Sequence, residues 1–272
     1  MAYQLICFDM DGTLLASDKR VLQSSLDAIA EAQAAGKFVA IATGRAPRMV
    51  EMNTDELSMI RYVVCSSGAQ LMDLTTGEVT TVGGIDPAVL ERIFELVDGL
   101  DVGCEAFIGH DFYTPEFYIN NTDHYDLGIY ASMYKALAVP CNDLRSACLA
   151  PDAQVTKFLM HFVSEEDKEK VNAGLIGMPC VLADSEAISI EVSPAGIDKG
   201  TGVVALAAKL GVDISEVITV GDQANDIPML RVAGLGVAMG NAIPETVEAA
   251  DVQVADNDND GCAQAIREYL LT

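Results

Sequence analysis

Asp9-Met10-Asp11-Gly12-Thr13 places two carboxylates two residues apart, just after a short apolar run at residues 3–8. On an extended strand, side chains two apart share a face. Asp9 and Asp11 therefore point into one space if that geometry persists past residue 8, and Gly12 lets the chain turn. Two carboxylates so placed repel each other unless a proton or a cation intervenes. The pair suggests a Mg²⁺ site, with one carboxylate free to attack phosphorus. The plain alternative is a strand that ends in an acidic turn.

Three further segments weigh against that alternative. Thr43-Gly44-Arg45 follows an apolar run at 37–42, Lys199 follows Gly196-Ile197-Asp198, and Gly221-Asp222-Gln223-Ala224-Asn225-Asp226 follows a run at 216–220. Asp222 is another hard oxygen ligand for Mg²⁺. Thr43 offers a hydroxyl, and Gly44 allows backbone N–H groups close to a phosphate oxygen. Lys199 offers a point charge, and Asn225 an amide donor. Taken singly, Thr-Gly-Arg is an ordinary turn and a lysine opening a helix is an ordinary surface residue. All four at the ends of elements, in this order, make a phosphate site the better reading.

The elements that must position these groups are legible around them. Strands are expected at 3–8, 37–42 and 62–65, with helices at 24–35 (Leu26, Ile29 and Ala30 on its inner face, Gly36 as its stop) and 47–57. The alternation returns later in the chain: a helix at 200–209 closed by Gly211, a strand at 216–220, a helix at 227–233, a strand at 235–239, a helix at 244–250, a strand at 252–254 and a helix at 261–271. Strand–helix–strand repetition implies a parallel sheet with right-handed crossovers. Ligands of such sheets bind outside the carboxyl ends of the strands, where three of the segments end and which Lys199 enters from the start of its helix.

The middle reads differently. Residues 101–118 and 179–193 look like hairpin strands, with helices near 86–98, 164–176 and 121–138. The expected fold is an α/β, Rossmann-like parallel core made of residues 1–84 and 190–272, interrupted by an α+β cap at 85–189. Phe107, Phe112, Tyr113, Phe117 and Tyr118 are expected in the cap core. His110, His124 and His161 lie in the insert at no ligand spacing and read as structural or exposed. The run Asp256-Asn257-Asp258-Asn259-Asp260-Gly261 lacks the downstream glutamate of a calcium loop and reads as a solvated acidic turn.

Composition narrows the class. At 272 residues, half of them hydrophobic, the chain can bury one large or two modest cores. A formal net charge of -25, with no basic run, disfavours nucleic acid as a partner. No apolar run approaches the roughly 18 residues of a membrane span. No basic region precedes the first apolar segment, so no signal peptide is expected. Seven scattered cysteines without a C-x-x-C pair point to reduced thiols and a cytoplasmic location. The expected partner is a small phosphorylated metabolite, with the chain a monomer or small homo-oligomer.

With these motifs in place the chain resembles the haloacid dehalogenase-like superfamily and, within it, the Cof-type phosphatases. D-M-D-G-T, T-G-R, G-I-D-K-G and G-D-Q-A-N-D resemble the family's successive motifs, and the insert lies where that subfamily carries its cap. Ala238-Met239-Gly240-Asn241-Ala242 and Asn259-Asp260-Gly261 are also similar to it. The resemblance implies that Asp9 is the nucleophile and Asp11 the general acid/base. It implies that Asp9, the Asp11 carbonyl and Asp222 hold Mg²⁺, and that Thr43, Gly44, Lys199 and Asn225 bind phosphate. Asp226 would support the metal or Lys199 from behind. Arg45 and Ser67 are candidate substrate contacts, Ser67 standing where the family commonly has asparagine. The implied activity is Mg²⁺-dependent hydrolysis of small phosphomonoesters, sugar phosphates first, then pyridoxal phosphate or flavin mononucleotide. Two other readings use the same groups. A sugar phosphomutase would pass the phosphoryl group to a hydroxyl. A receiver-like signalling domain would keep it on aspartate, but would carry that aspartate after its third strand and lack the insert.

Overall fold

The computed structural model describes residues 2–53, 57–128, 131–183 and 188–272. In chain order the strands are β1 Leu5–Phe8, β2 Phe38–Ala42, β3 Tyr62–Cys65, β4 Gln70–Asp73, β5 Glu78–Thr81, β6 Val102–Ile108, β7 Asp111–Thr114, β8 Val139–Pro140, β9 Val155–Phe162, β10 Cys180–Ala183, β11 Ser189–Pro194, β12 Val217–Gly221, β13 Leu235–Ala238 and β14 Val252–Gln253. They fall into two compact units. One takes the chain up to Arg45, then Glu51–Val82 and Ile197–Thr272; the other takes Ala46–Val50 and Gly83–Gly196.

The first unit is built on a sheet of order β14-β13-β12-β1-β2-β3-β4-β5. From β14 to β3 the strands are parallel; β4 and β5 turn back antiparallel. β1 sits between β12 and β2, and all four of its residues are buried. A strand covered on both faces reads as an unbroken apolar run, which is why Leu5-Ile6-Cys7-Phe8 shows no alternation. Its pairing brings Phe8 beside both Val220 and Ile41. The carboxyl ends of β1, β2, β3 and β12 therefore lie along one edge of the sheet.

Two helices show how the local sequence works. Lys199–Leu210 is capped by the Asp198 carboxylate, which accepts from the Thr201 N–H at 2.8 Å, and ends at Gly211 with φ +70°. Gln23–Ala34 buries Ser25, Ala28, Ile29 and Ala32. Ala30 is exposed and Leu26 half-buried, so of the expected inner face Ile29 alone is fully buried. The helix expected at 47–57 is a short α-turn, Pro47–Val50, followed by a 3₁₀ turn, Glu51–Asn53, and its remainder runs into residues 54–56, outside the described residues.

The second unit has a sheet of order β10-β11-β9-β6-β7-β8, antiparallel except between β7 and β8. Helices Pro87–Leu96, Leu144–Cys148 and Glu165–Leu175 supply Val89, Leu90, Ile93, Leu144, Cys148, Val171 and Leu175 to a core with Phe158 and Met160. An aromatic cluster forms a second core from Phe107, Phe112, Tyr118, Tyr125 and Tyr134. Tyr113 packs with the other core, and Phe117 is exposed. The expected boundary at residue 190 falls inside β11, which pairs with β9 and β10 and so belongs to this unit. Among the described residues of 121–138, α-helix covers Ala131–Leu137. Among the described residues no helix is long and apolar enough to cross a membrane.

Candidate active site

The site is assembled at the carboxyl ends of β1 and β12. Pairing continues one residue past β1, with the Asp9 N–H donating to the Val220 carbonyl at 2.9 Å. The chain then turns at Gly12, whose φ is +85° and where a Cβ would stand 2.6 Å from Asp222 Oδ2. Only glycine satisfies both the conformation and the closeness. Thr13 Oγ1 donates to Asp222 Oδ1 at 2.7 Å, tying the two loops together.

Beyond β12, Asp226 folds back on its own loop. Its Oδ2 accepts from the N–H groups of Asp222 (2.9 Å) and Gln223 (3.0 Å), while Gln223 Nε2 donates to Asp222 Oδ2 at 3.1 Å. A Cβ on Gly221 would lie 2.4 Å from the Asp226 Cβ, so this tight return also needs glycine. Lys199, the first residue of its helix, enters from the side. Its Nζ donates to Asp9 Oδ1 at 2.5 Å and to Asp226 Oδ1 at 2.6 Å.

Lys199 and Asp226 are almost wholly buried, and so are Asp9 and Asp222. Burial pushes the Asp9 carboxyl up to about 7, against the pull of Lys199 and with the help of Asp226. Burial also raises Asp222. Lys199 resists burial: the Asp9 and Asp226 carboxylates hold its ammonium above the usual lysine range. Oxygens of Asp9, Asp222 and Asp226 lie within 4.8 Å of one another. Three buried carboxylates against one ammonium make an all-oxygen donor set with surplus negative charge, which fits a hard divalent cation. Asp226 gives Oδ1 to the Lys199 ammonium and Oδ2 to two main-chain N–H groups, whereas Asp222 meets only a hydroxyl and a side-chain amide, so Asp9 and Asp222 are the better placed ligands.

Asp11 is handled differently. Arg45 forks it, with Nη2 at 2.8 Å and Nε at 3.1 Å from Oδ2, and Lys19 Nζ reaches Oδ1 at 3.0 Å. Burial opposes its charge, but Arg45 and Lys19 hold the carboxyl below the usual range.

The turn after β2 is braced by the turn after β3. Thr43 is buried, and its N–H donates to the Val64 carbonyl at 2.8 Å. The Arg45 N–H donates to Thr43 Oγ1 (3.2 Å), the Ser67 N–H to the Thr43 carbonyl (3.1 Å) and the Ser66 N–H to the Arg45 carbonyl (2.9 Å). Gly44 lies half-buried between them. Ser66 and Ser67 both adopt positive φ, at 50° and 54°. Serine tolerates that conformation less well than asparagine or glycine, so the backbone is strained at both positions. Gly68, at φ +104°, leaves no room for a Cβ against the Asp198 carbonyl. This turn thereby abuts the start of the Lys199 helix.

The structure thus gathers Asp9, Asp222, Asp226 and Lys199 into one cluster and links Asp11 to Arg45. Asn225 stays exposed in the turn Ala224–Asp226. Sequence reasoning missed Thr13, Lys19 and Gln223. Thr13 lies inside the first motif and its hydroxyl was the available signal; nothing local marks the other two. In the second unit His161 Nδ1 pairs with the Tyr118 hydroxyl at 2.7 Å, and His124 Nε2 with Asp101 at 2.8 Å.

Comparison with known proteins agrees with this architecture. The family model for haloacid dehalogenase-like hydrolases matches residues 6–266. The 5-amino-6-(5-phospho-D-ribitylamino)uracil phosphatase YitU of Bacillus subtilis (strain 168) is 30% identical over 275 residues, covering 98% of this chain and 97% of that protein. The pyridoxal phosphate phosphatase YbhA of Escherichia coli (strain K12) is 29% identical over 290 residues, covering 100% of each. The crystal structure of a haloacid dehalogenase-like hydrolase from Bacteroides thetaiotaomicron matches with a TM-score of 0.80 at 27% identity, covering 98% of this chain and 99% of that one. The chain belongs to the haloacid dehalogenase-like hydrolase family and is a phosphoric monoester hydrolase.

Proposed function

We propose that this hydrolase is a Mg²⁺-dependent phosphatase of small phosphomonoesters, sugar phosphates first among them, acting through a phosphoryl group carried on Asp9. The observation that carries the reading is the buried Asp9–Lys199–Asp226 chain beside Asp222. Relatives named for phosphorylated ribitylaminouracil and for pyridoxal phosphate support a small phosphorylated metabolite as the substrate class.

Asp9 attacks the phosphorus, the bond to the leaving oxygen breaks, and Asp11 gives that oxygen a proton. Asp11 then takes a proton from water, whose oxygen attacks the phosphorus. The bond to Asp9 breaks and inorganic phosphate leaves. Lys199 orients Asp9 and faces the phosphoryl oxygens, with Asp226 holding its ammonium in place. Asp9, the Asp11 carbonyl and Asp222 would hold Mg²⁺, which would supply charge neutralisation for the attack on phosphorus. Thr43, the Gly44 N–H and Asn225 bind the remaining phosphate oxygens. The proton that Asp11 gives in the first step is restored by the one it takes from water in the second, and Arg45 holds Asp11 ionised between the two.

The second unit serves as the inserted cap that sets substrate choice, and Ser67 and Arg45 are the candidate substrate contacts of the first unit. Seven free cysteines support a reducing, cytoplasmic setting. The test is a panel of phosphomonoesters incubated with purified protein in Mg²⁺ and in EDTA. Steady phosphate release in Mg²⁺ alone is the expected result. Undiminished release in EDTA, or a long-lived phosphoaspartate without turnover, contradicts it.

A further inference from the structure

The Gly-Asn-Ala segment and the acidic run near residue 258 have no part in the phosphoryl chemistry described above. Both nevertheless touch the loop that carries Asp9 and Asp11. Asn241 Nδ2 donates to the Gly12 carbonyl at 2.8 Å, across 229 residues of chain. Asn257 Nδ2 donates to the Leu15 carbonyl at 3.0 Å, across 242 residues. The two asparagines are coupled, because the Asn257 N–H donates to Asn241 Oδ1 at 3.2 Å. Asn241 therefore uses its amide at both ends, as donor to the loop and as acceptor from its partner.

More contacts follow the same line. Cys262 Sγ lies 3.3 Å from the Thr13 carbonyl, and Asp258 accepts from Ser17 N–H (2.8 Å) and Ser17 Oγ (2.7 Å). The acidic run is thus a docking edge for residues 12–17 as well as an exposed turn. The run itself is tightly folded: a Cβ on Gly261 would stand 2.1 Å from the Ala255 carbonyl.

The loop needs such a hold. Its own main-chain bonds are Leu14 N–H to the Asp9 carbonyl (3.2 Å) and Leu15 N–H to the Met10 carbonyl (2.9 Å). Between them lies Gly12, which has the widest conformational freedom of any residue and follows directly on Asp11. An amide on the Gly12 carbonyl fixes the peptide plane there, and with it the direction of the neighbouring Asp11 carbonyl and of Thr13. Reaction rates respond to such placement steeply: a misplacement of about 1 Å costs on the order of a hundredfold. Asn241 is exposed, so water can satisfy the Gly12 carbonyl if the amide is lost, at small cost to folding. Geometry suffers more than stability.

We propose that Asn241 and Asn257 form a clamp that holds the Asp9–Leu15 loop in its reactive shape. They are positioning residues and touch neither phosphate nor metal. The proposal rests on the reading that Asp9 and Asp11 carry the phosphoryl transfer.

Asn241→Asp tests it with one atom type changed. The acceptor to Asn257 is kept, while the donor to Gly12 becomes an oxygen facing an oxygen. With p-nitrophenyl phosphate and Mg²⁺, kcat should fall about a hundredfold while KM stays within about threefold. Asn241→Ala, which admits water, should lose about tenfold, and it decides the matter if the aspartate variant fails to fold. Asn257→Asp should show a smaller fall of the same kind. In metal-free protein, amide exchange at Thr13, Leu14 and Leu15 should quicken in each variant with the melting temperature nearly unchanged. Wild-type kcat in Asn241→Asp and Asn241→Ala, or unaltered exchange in both, overturns the clamp. If the wild-type protein releases no phosphate, the proposed function fails, and the exchange measurement still decides whether the clamp orders the loop.

Discussion

Two lysines in this molecule are almost fully buried, at 1% and 3% exposure, and they do opposite things. Lys157, in the second unit, meets Glu191 at 2.8 Å and lies 5.7 Å above the ring of Phe107. Lys199, in the first, is shared by Asp9 and Asp226, with Asp222 close by. The Lys157–Glu191 pair spans two neighbouring strands and serves the packing of a sheet face. One cation facing three carboxylates leaves a deficit of positive charge that folding alone does not remove. Burial, opposed by Lys199 and helped by Asp226, pushes Asp9 up to about 7. A buried ion pair by itself therefore says little about function; the surplus around it does.

The sharpest way to break this contrast is to remove the group that the surplus serves. Asp9→Asn keeps the size of the side chain and removes its charge; turnover should fall by about 10⁴-fold or more with the fold intact, measured as phosphate release beside circular dichroism. Lys199→Met should cost about 10²–10³-fold in kcat, whereas Lys157→Met should leave the response to Mg²⁺ in place. A metal-induced rise in melting temperature that survives Lys157→Met and vanishes in Asp222→Asn sharpens the contrast; the reverse pattern breaks it.

Stability should separate the two lysines next. Lys157→Met strands Glu191 and should destabilise the chain by about 3–5 kcal/mol in denaturant titration. Adding Glu191→Leu should restore most of that loss, since an apolar pair of similar volume replaces a balanced ion pair at little cost.

The smallest effect is a pH slope. Asp9 has a folded pKa of about 7, against about 3.9 for an unfolded aspartate. Between those values the folded state binds the extra proton, so stability linked to Asp9 falls as pH rises from about 4 and the fall is complete above about 7. Metal-free wild type should therefore lose stability relative to Asp9→Asn across that window, and saturating Mg²⁺ should flatten the difference. Parallel curves in EDTA would show that Asp9 is not perturbed.

How legible the molecule is depends on distance along the chain. β1 and the Gly12 turn can be read because a buried apolar run, two aspartates and a glycine lie within nine residues. The Lys199 helix can be read because its capping aspartate and closing glycine flank it. β9 cannot, although it is a central strand of its sheet. Lys157 and His161 make Val155–Phe162 look polar, and only the folded sheet supplies Glu191 and Tyr118 to pair with them. β4 and β5 were hidden by Gln70, Asp73, Thr80 and Thr81, tolerable in a hairpin at the sheet's edge. At the site, the acidic groups and the lysine were visible as types. The Asn241 and Asn257 contacts to the loop were not, since they exist only once β12 and β13 have lined up beside β1.

If Asp9 carries the phosphoryl group, the group can be found there directly. Purified protein is mixed with a radiolabelled phosphomonoester and Mg²⁺, quenched in acid within a single turnover, digested, and its peptides separated. Hydroxylamine-labile label is expected on the peptide containing Asp9 and none in Asp9→Asn. Steady phosphate release with no label on that peptide at any quench time, together with wild-type turnover by Asp9→Asn, would contradict it.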